Sequence, residues 1–304
     1  MENYAIGIDV GGTKTLLIVL DSKQNIVYEK KISSSKNWDY LAELINEALN
    51  DLKITNNDIS GMGIGVASAI EPSTNKVVDA PGLGWKDFDL VSNLKTQYSF
   101  PIIVENDVNC ALIAENKMGA AQDCDPVLYI SIGTGLGGAL MVGGKIIHGA
   151  NNMAGEIGYQ LDKDDYKKGS VNPPGKFGAA ENKISGTALA KGFSSSEKFF
   201  EKLKDKDPSA LENFEEFSID LSVLISNSIC LLNPEKVILG GGLSKPIEPY
   251  LEMIQEKMSS MTPISTKIEF SKLGECSGAL GAAVFLSENR MLDNLKNLGG
   301  FFNT

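Results

Sequence analysis

One pattern occurs twice in this chain. Residues 6–31, IGIDVGGTKTLLIVLDSKQNIVYEKK, read as strand, glycine loop, strand, turn, strand. Residues 126–149, PVLYISIGTGLGGALMVGGKIIHG, read the same way in the same order. Short runs rich in β-branched residues between turn residues mark the strands. A duplicated unit of this kind predicts two similar α/β lobes facing one cleft. Further strands are expected over 61–67, 101–106 and 236–240. Helices are expected over 38–52, 107–118, 211–232 and 277–289, the last made of small residues.

Composition narrows the partners. The 304 residues carry a net charge of -11, with 42% hydrophobic and 22% charged residues. That is enough apolar material for two cores. The acidic balance opposes nucleic acid and anionic membrane as partners. Cys110, Cys124, Cys230 and Cys276 are scattered with no CxxC pair, and His148 is the single histidine. Free thiols in a reducing compartment fit this usage. No apolar run approaches the ~20 residues of a membrane span, and Asp9 interrupts the one N-terminal candidate for a leader. The expectation is a cytoplasmic protein.

Three glycine clusters follow strands: DVGGTK (9–14), GTGLGG (133–138) and GGGLS (240–244). Glycine lets backbone N–H groups approach an anion. One cluster alone is an ordinary tight turn; three in a duplicated frame point to a nucleotide. GTGLGG matches GxGxxG formally, but a strand follows it where a dinucleotide fold needs a helix. The P-loop pattern is absent. The phosphates are therefore expected in β-hairpin turns. Asp9 beside such a turn would repel phosphate unless Mg²⁺ lay between them, although a local turn hydrogen bond is the plainer role for an aspartate.

VENDVNCALIAE (104–115) puts Asn106 and Asp107 between a strand and a helix. Either can be the helix N-cap. The strand's C-terminal end is also where α/β folds bind ligands, so Asn106 can hold a hydroxyl and Asp107 can take its proton. Glu156 and Glu181, each among small residues, can accept hydrogen bonds from vicinal hydroxyls.

These blocks, together with APGLGWKDF (80–88), AGEIGY (154–159) and VILGGGLS (237–244), resemble the signature blocks of the ROK family (repressor, open reading frame, kinase), in family order from residue 6 to about 284. The resemblance implies an actin-like ATPase superfamily fold: two RNase H-like lobes around a central cleft that holds ATP and sugar. The lobes are expected over 1–107 with 290–304, and over 108–289. It also implies an ATP- and Mg²⁺-dependent sugar kinase, glucokinase-like by default, acting on a hexose 6-hydroxyl. By motif, Asp9 lies near Mg²⁺ through the phosphates. Gly11, Gly12, Thr13 and Lys14 resemble the first phosphate loop, Gly133, Thr134, Gly135 and Gly137 the second, and Gly240, Gly241 and Gly242 the adenosine motif. Asn106, Asp107, Glu156 and Glu181 resemble the sugar ligands, with Asp107 as catalytic base. A homodimer is implied as well.

The departures fall on the sugar side. Ala67-Ser68 stands where the family usually has Pro-Gly, which adds Ser68 to the substrate candidates. Gly82 stands where Asn is frequent. Tyr159 stands in place of the usual histidine and is expected to face the sugar. The cysteine-rich zinc segment is replaced by KKGSVNPPGKFGAAE (167–181), so no zinc is expected and the loop is expected to be held by packing through Pro173 and Pro174. N-acetylmannosamine, fructose and β-glucosides are alternative substrates. A sugar-responsive repressor needs a helix-turn-helix for which a first strand at residue 4 leaves no room. A silent sugar-binding protein has no need to keep Asp9 and Asp107.

Overall fold

Residues 59–66 alternate glycine or serine with aliphatic side chains, and that alternation builds the first half of the fold. The computed structural model describes residues 3–71, 73–169, 172–173 and 176–286. Its first sheet contains β1 (Tyr4–Val10), β2 (Lys14–Leu20), β3 (Ile26–Ser33), β4 (Ile59–Val66) and β7 (Ile102–Asn106), in the order β3-β2-β1-β4-β7. One face of β1 and β4 carries Ile6, Ile8, Val10, Met62, Ile64 and Val66. These pack with Leu41, Leu44, Ile45 and Ala48 of α1 (Asp39–Leu52) in one core. Each such side chain fully buried stabilises the fold by about 1.5–3 kcal/mol.

The other face of the same strands is nearly bare. A Cβ on Gly7 would lie 2.0 Å from the Ala279 carbonyl oxygen, and one on Gly63 would lie 1.8 Å from that of Ala282. Residues 277–286 are helical and rest directly on this face. A Cβ on Gly281 would meet the Cys110 carbonyl oxygen at 1.6 Å, so the same helix also presses on α3 (Asp107–Met118). The small-residue run is thus a packing requirement: helix and strand backbones approach closer than any side chain allows.

This packing sets the division of the chain. One compact unit is Met1–Lys117 with Cys276–Thr304; the other is Met118–Glu275. The sequence reading put the boundaries at 107/108 and 289/290, which assigned α3 and the 277–289 helix to the second lobe. Residues 287–304, including the expected return of 290–304, lie outside the described residues. The first unit also holds the antiparallel hairpin β5 (Val77–Ala80)–β6 (Trp85–Phe88) and α2 (Leu90–Lys95).

The second unit repeats the first. Strands β8 (Val127–Ile132), β9 (Leu136–Val142), β10 (Lys145–Ile146), β11 (Lys236–Gly240) and β12 (Lys267–Phe270) are ordered β10-β9-β8-β11-β12. In both sheets the first three strands are antiparallel and the last two join in parallel. Short α4 (Lys163–Lys167) and α5 (Gly186–Leu189) precede α6 (Ser196–Lys204) and the long α7 (Pro208–Leu232). Then come α8 (Ser244–Ile247) and α9 (Leu251–Ser259). α7 starts three residues before the apolar periodicity does. Asp207 caps it, accepting from the N–H groups of Ser209 and Ala210, and Pro208 fills the first turn, where no backbone donor is needed. Among the described residues no helix is long and apolar enough to cross a membrane.

Candidate active site

The parallel register of the first unit brings two carboxylates to one sheet end. Asp9 pairs with Gly65, and Gly65 with Glu105, the residue before Asn106. Gly65 separates Asp9 from the β7–α3 junction, and its bareness keeps that separation open. A Cβ there would stand 3.3 Å from the Asp107 Cα and 3.3 Å from the Cys110 Sγ.

Asn106 is the cap of α3. Its Oδ1 accepts from the N–H groups of Val108 (2.9 Å) and Asn109 (3.0 Å), and its Nδ2 donates to the Ser68 carbonyl at 3.3 Å. Asp107 accepts from the Val108 N–H at 3.0 Å through one oxygen. Burial pushes the Asp107 carboxyl above the usual carboxylate range, and that N–H bond opposes the shift. Asp9 is pushed up further, first by burial and then by the Asp107 charge, with Lys31 opposing. Two neighbouring carboxylates that both resist ionisation make this sheet end a candidate functional site.

The β1–β2 turn lies beside Asp9. The Gly11 N–H donates to the Lys14 carbonyl at 3.0 Å, and Gly12, Thr13 and Lys14 are exposed. The turn is fixed from behind by hydroxyls that the sequence reading missed. Ser34 Oγ donates to the Gly11 carbonyl at 2.7 Å, and the Ser34 N–H to the Thr13 carbonyl at 3.0 Å. Buried Thr15 Oγ1 bonds both Ser34 Oγ and Tyr40 OH at 2.8 Å. The signal was there: a threonine inside an aliphatic strand needs partners when buried. At Gly82 a Cβ would lie 2.9 Å from the Gly12 Cα, so this turn packs closely on the first glycine turn. Gly278 is another missed neighbour, since its Cβ would stand 2.7 Å from the Asp9 Oδ2. Ser68 is buried, and its hydroxyl bonds the carbonyls of Ala69 and Asp79 and the Asp79 N–H. The hydroxyl thus holds the backbone beside Asn106.

The second unit gathers the remaining candidates. The Gly133 N–H donates to the Gly135 carbonyl (2.9 Å), and the Gly186 N–H, at the start of α5, to the Gly133 carbonyl (2.7 Å). Thr187 Oγ1 donates to the Thr134 carbonyl at 2.8 Å. Gly137 pairs with Ser131, one step into the β8–β9 ladder that Leu136 begins opposite Ile132. The β11–α8 turn runs alongside. The Leu243 N–H donates to the Ile132 carbonyl at 2.9 Å, and Gly241 takes φ +81° with no room for a side chain. The three glycines of this turn differ: Gly240 is bare because the Tyr129 ring fills its side-chain space, Gly241 for its backbone angle, while Gly242 faces open space.

Glu181 abuts the second glycine turn. Its Oε1 accepts the Leu136 N–H at 3.0 Å and its Oε2 the Gly178 N–H at 3.2 Å. A Cβ on Gly135 would meet that Oε1 at 2.1 Å. Burial raises the carboxyl, and the two N–H groups counter it. Glu156 precedes and Tyr159 ends a single 3-10 turn, Ile157–Tyr159, both half-buried, and the Glu181 N–H donates to the Gly158 carbonyl at 3.2 Å. Hydrogen bonds from Asn172 and Lys183 cross the loop, while Pro174, expected to help hold it, lies outside the described residues. Among the described residues no group of three or more His, Cys, Asp and Glu side chains is placed to hold a metal.

Two sheets of one strand order, each with a glycine turn between its antiparallel strands, define the actin-like ATPase fold. The chain belongs to the ROK family, whose model matches residues 5–289. A glucokinase of Halalkalibacterium halodurans is 29% identical, covering 95% of this chain and 97% of its own length. The xylose repressor of Bacillus subtilis is 27% identical over 91% of this chain and 75% of its own. A ROK family glucokinase from Streptomyces griseus, solved in complex with glucose and AMPPNP, superposes with a TM-score of 0.78 at 25% identity, covering 93% of this chain and 98% of its own.

Proposed function

We propose that this chain transfers the γ-phosphoryl group of ATP to the 6-hydroxyl of a hexose, glucose by default, with Asp107 as the base. The broader class, an ATP-dependent carbohydrate kinase, follows from family membership and the glucokinase relatives. What supports Asp107 in particular is its position. Asn106 takes the capping bonds, so Asp107 stands at the helix start with a carboxylate not consumed by the cap. Its raised pKa makes it a stronger base than an exposed aspartate. In the reaction Asp107 accepts the proton of the sugar hydroxyl. The alkoxide-like oxygen forms its bond to the γ-phosphorus as the bond to the β–γ bridging oxygen breaks, and ADP leaves.

The other roles follow the same reading. Gly11–Lys14 and the turn 133–137 receive phosphate oxygens through backbone N–H groups, and 240–242 receives the adenosine. Asn106, Glu156, Tyr159 and Glu181 contact the sugar. Asp9 fits a Mg²⁺ site: its oxygen donor suits a hard cation, and its pKa is held up first by burial and then by the Asp107 charge, both of which a bound cation would offset. When bound, Mg²⁺ neutralises charge on the transferring phosphoryl group. A cytoplasmic location without nucleic-acid partners fits the acidic charge and the thiols, and a homodimer is carried over from the family resemblance alone.

The test is a coupled ATP-consumption assay with glucose, N-acetylmannosamine, N-acetylglucosamine, fructose and a β-glucoside. Turnover with one hexose well above the rest supports the reading. Tight sugar binding with no ATP consumption would instead favour a sensing role, as in the repressor branch of the family.

A further inference from the structure

Glu181 is useful to a sugar only if its loop is rigid, and the loop has little regular structure: residues 178–184 form turns between a glycine-rich approach and α5. Side chains hold it instead. Asn172 reaches across the gap with both ends of its amide. Its Nδ2 donates to the Tyr159 carbonyl at 2.6 Å, and its Oδ1 accepts the Ala179 N–H at 2.9 Å. That one residue joins the turn carrying Glu156 and Tyr159 to the turn carrying Glu181. Two residues beyond Glu181, Lys183 donates to Asp162 Oδ2 (2.7 Å) and Asp165 Oδ2 (2.8 Å). Asp162 and Asp165 are the two halves of the capping box that begins α4. Asp165 is 4% exposed, so this pair is shielded from solvent as ordinary surface pairs are not. The Lys183 ammonium and the neighbouring N–H groups hold the Asp162 carboxyl down at about 2.

We infer that Asn172 is a positioning residue for sugar binding: it acts through Glu181, with Lys183 as a second strut, and does itself what a metal ion bound between the two turns would do. The inference rests on Glu181 being a sugar ligand. The chemistry suits the task. A primary amide offers a donor and an acceptor in one plane, so it can bridge a carbonyl on one segment and an N–H on the other. The Ala179 bond is of ordinary length and the Tyr159 bond slightly shorter, and the bridged groups are half-buried or buried. Leaving such groups unpaired is costly. Glu181 then orients on the Gly178 and Leu136 N–H groups, the second of which belongs to the strand leaving the GTG turn. The brace therefore ends at the proposed phosphate turn as well as at the sugar.

Two measurements on the full chain test it. Amide hydrogen exchange of Asn172→Ala and Asn172→Asp should rise at 158–160 and 178–184 and stay unchanged in α7. The Asp variant keeps the acceptor for Ala179 but sets a carboxylate oxygen against the Tyr159 carbonyl. Lys183→Met should raise exchange at 181–184 alone. In steady-state kinetics the Asn172 variants should raise sugar KM about tenfold, the loss of one ordinary binding interaction, with ATP KM within twofold. Unchanged exchange at Ala179 in Asn172→Ala overturns the brace even in a fully active enzyme. Faster exchange with unchanged sugar KM overturns its role in binding. A wild type that neither binds nor phosphorylates any sugar overturns the kinase reading, and with it the purpose of the brace, whereas the exchange result still decides whether the brace exists.

Discussion

Asn106 caps the helix that Asp107 begins. The amide oxygen of one takes the Val108 and Asn109 N–H groups, and the carboxylate of the other shares the Val108 N–H and is also met by its own backbone N–H. Structural duty and proposed chemistry thus fall on adjacent residues, and substitution should separate them.

Asn106→Ala should lower stability by about 0.5–2 kcal/mol, the ordinary value of a lost N-cap. Asp107→Asn should leave stability at neutral pH equal or higher and lower kcat by about 10²–10⁴. Chemical denaturation and initial rates check both. An Asp107→Asn variant with near wild-type turnover would falsify the base assignment.

The pH profile should carry the same signature. A base works only when deprotonated, and burial raises the Asp107 carboxyl. The acid limb of kcat/KM should therefore fall above the ~3.9 of an unperturbed aspartate, and activity should be lost as pH drops through it. A limb at or below that value would show that Asp107 is solvated in the working enzyme.

Asp9→Asn should split activity from stability in opposite directions. The folded-state pKa of Asp9 is raised above its unfolded value. At low pH both states are protonated and the group costs nothing. As pH rises from the unfolded pKa to the raised folded one, the native state keeps a proton that the unfolded chain has lost, so stability falls across that window and the loss is complete above the folded pKa. Replacing the carboxylate with an amide should raise Tm by a few degrees at pH 8–9 without Mg²⁺, at about 2–4 °C per kcal/mol, and leave it unchanged near pH 4. The same variant should need more Mg²⁺ for half-maximal rate. A Tm shift equal at every pH would show that the effect is steric.

Gly82→Ala should act on the nucleotide. The added Cβ would press on the Gly12 Cα at 2.9 Å, and one of the two turns must shift. We expect ATP KM to rise roughly tenfold, about 1.4 kcal/mol, with sugar KM unchanged. Calorimetry with a non-hydrolysable ATP analogue measures it directly, and unaltered affinity would mean that the 81–84 turn yields instead.

Zinc should be absent as a structural element. The described residues supply no set of three or more His, Cys, Asp and Glu side chains for it, and tetrahedral sites need four ligands. Elemental analysis should find well under one zinc per chain. Chelation followed by Mg²⁺ replenishment should leave Tm and turnover as they were. Stoichiometric zinc would sink the expectation.

The sequence by itself determined the duplicated architecture. Strand runs, glycine turns and amphipathic helices are local patterns, and repeating one series of them predicts two units built alike, while the strand order within each sheet comes from the structure. Asp9 and Asp107 were legible for the same reason: a carboxylate at the end of an apolar strand conflicts with its surroundings. What the tertiary structure decided was which atoms those residues meet. The glycine face of β1 and β4 could be read as a buried strand, but only packing shows that residues 277–286 lie on it, with Gly278 against Asp9. Only packing shows that Ser34 and Tyr40 fix the first turn, that Gly82 packs closely on Gly12, and that Asn172 joins two segments. Sequence encodes periodicity along one chain segment. A hydrogen bond or a close backbone approach between distant segments has no period, and exists only once both have been brought to the same place.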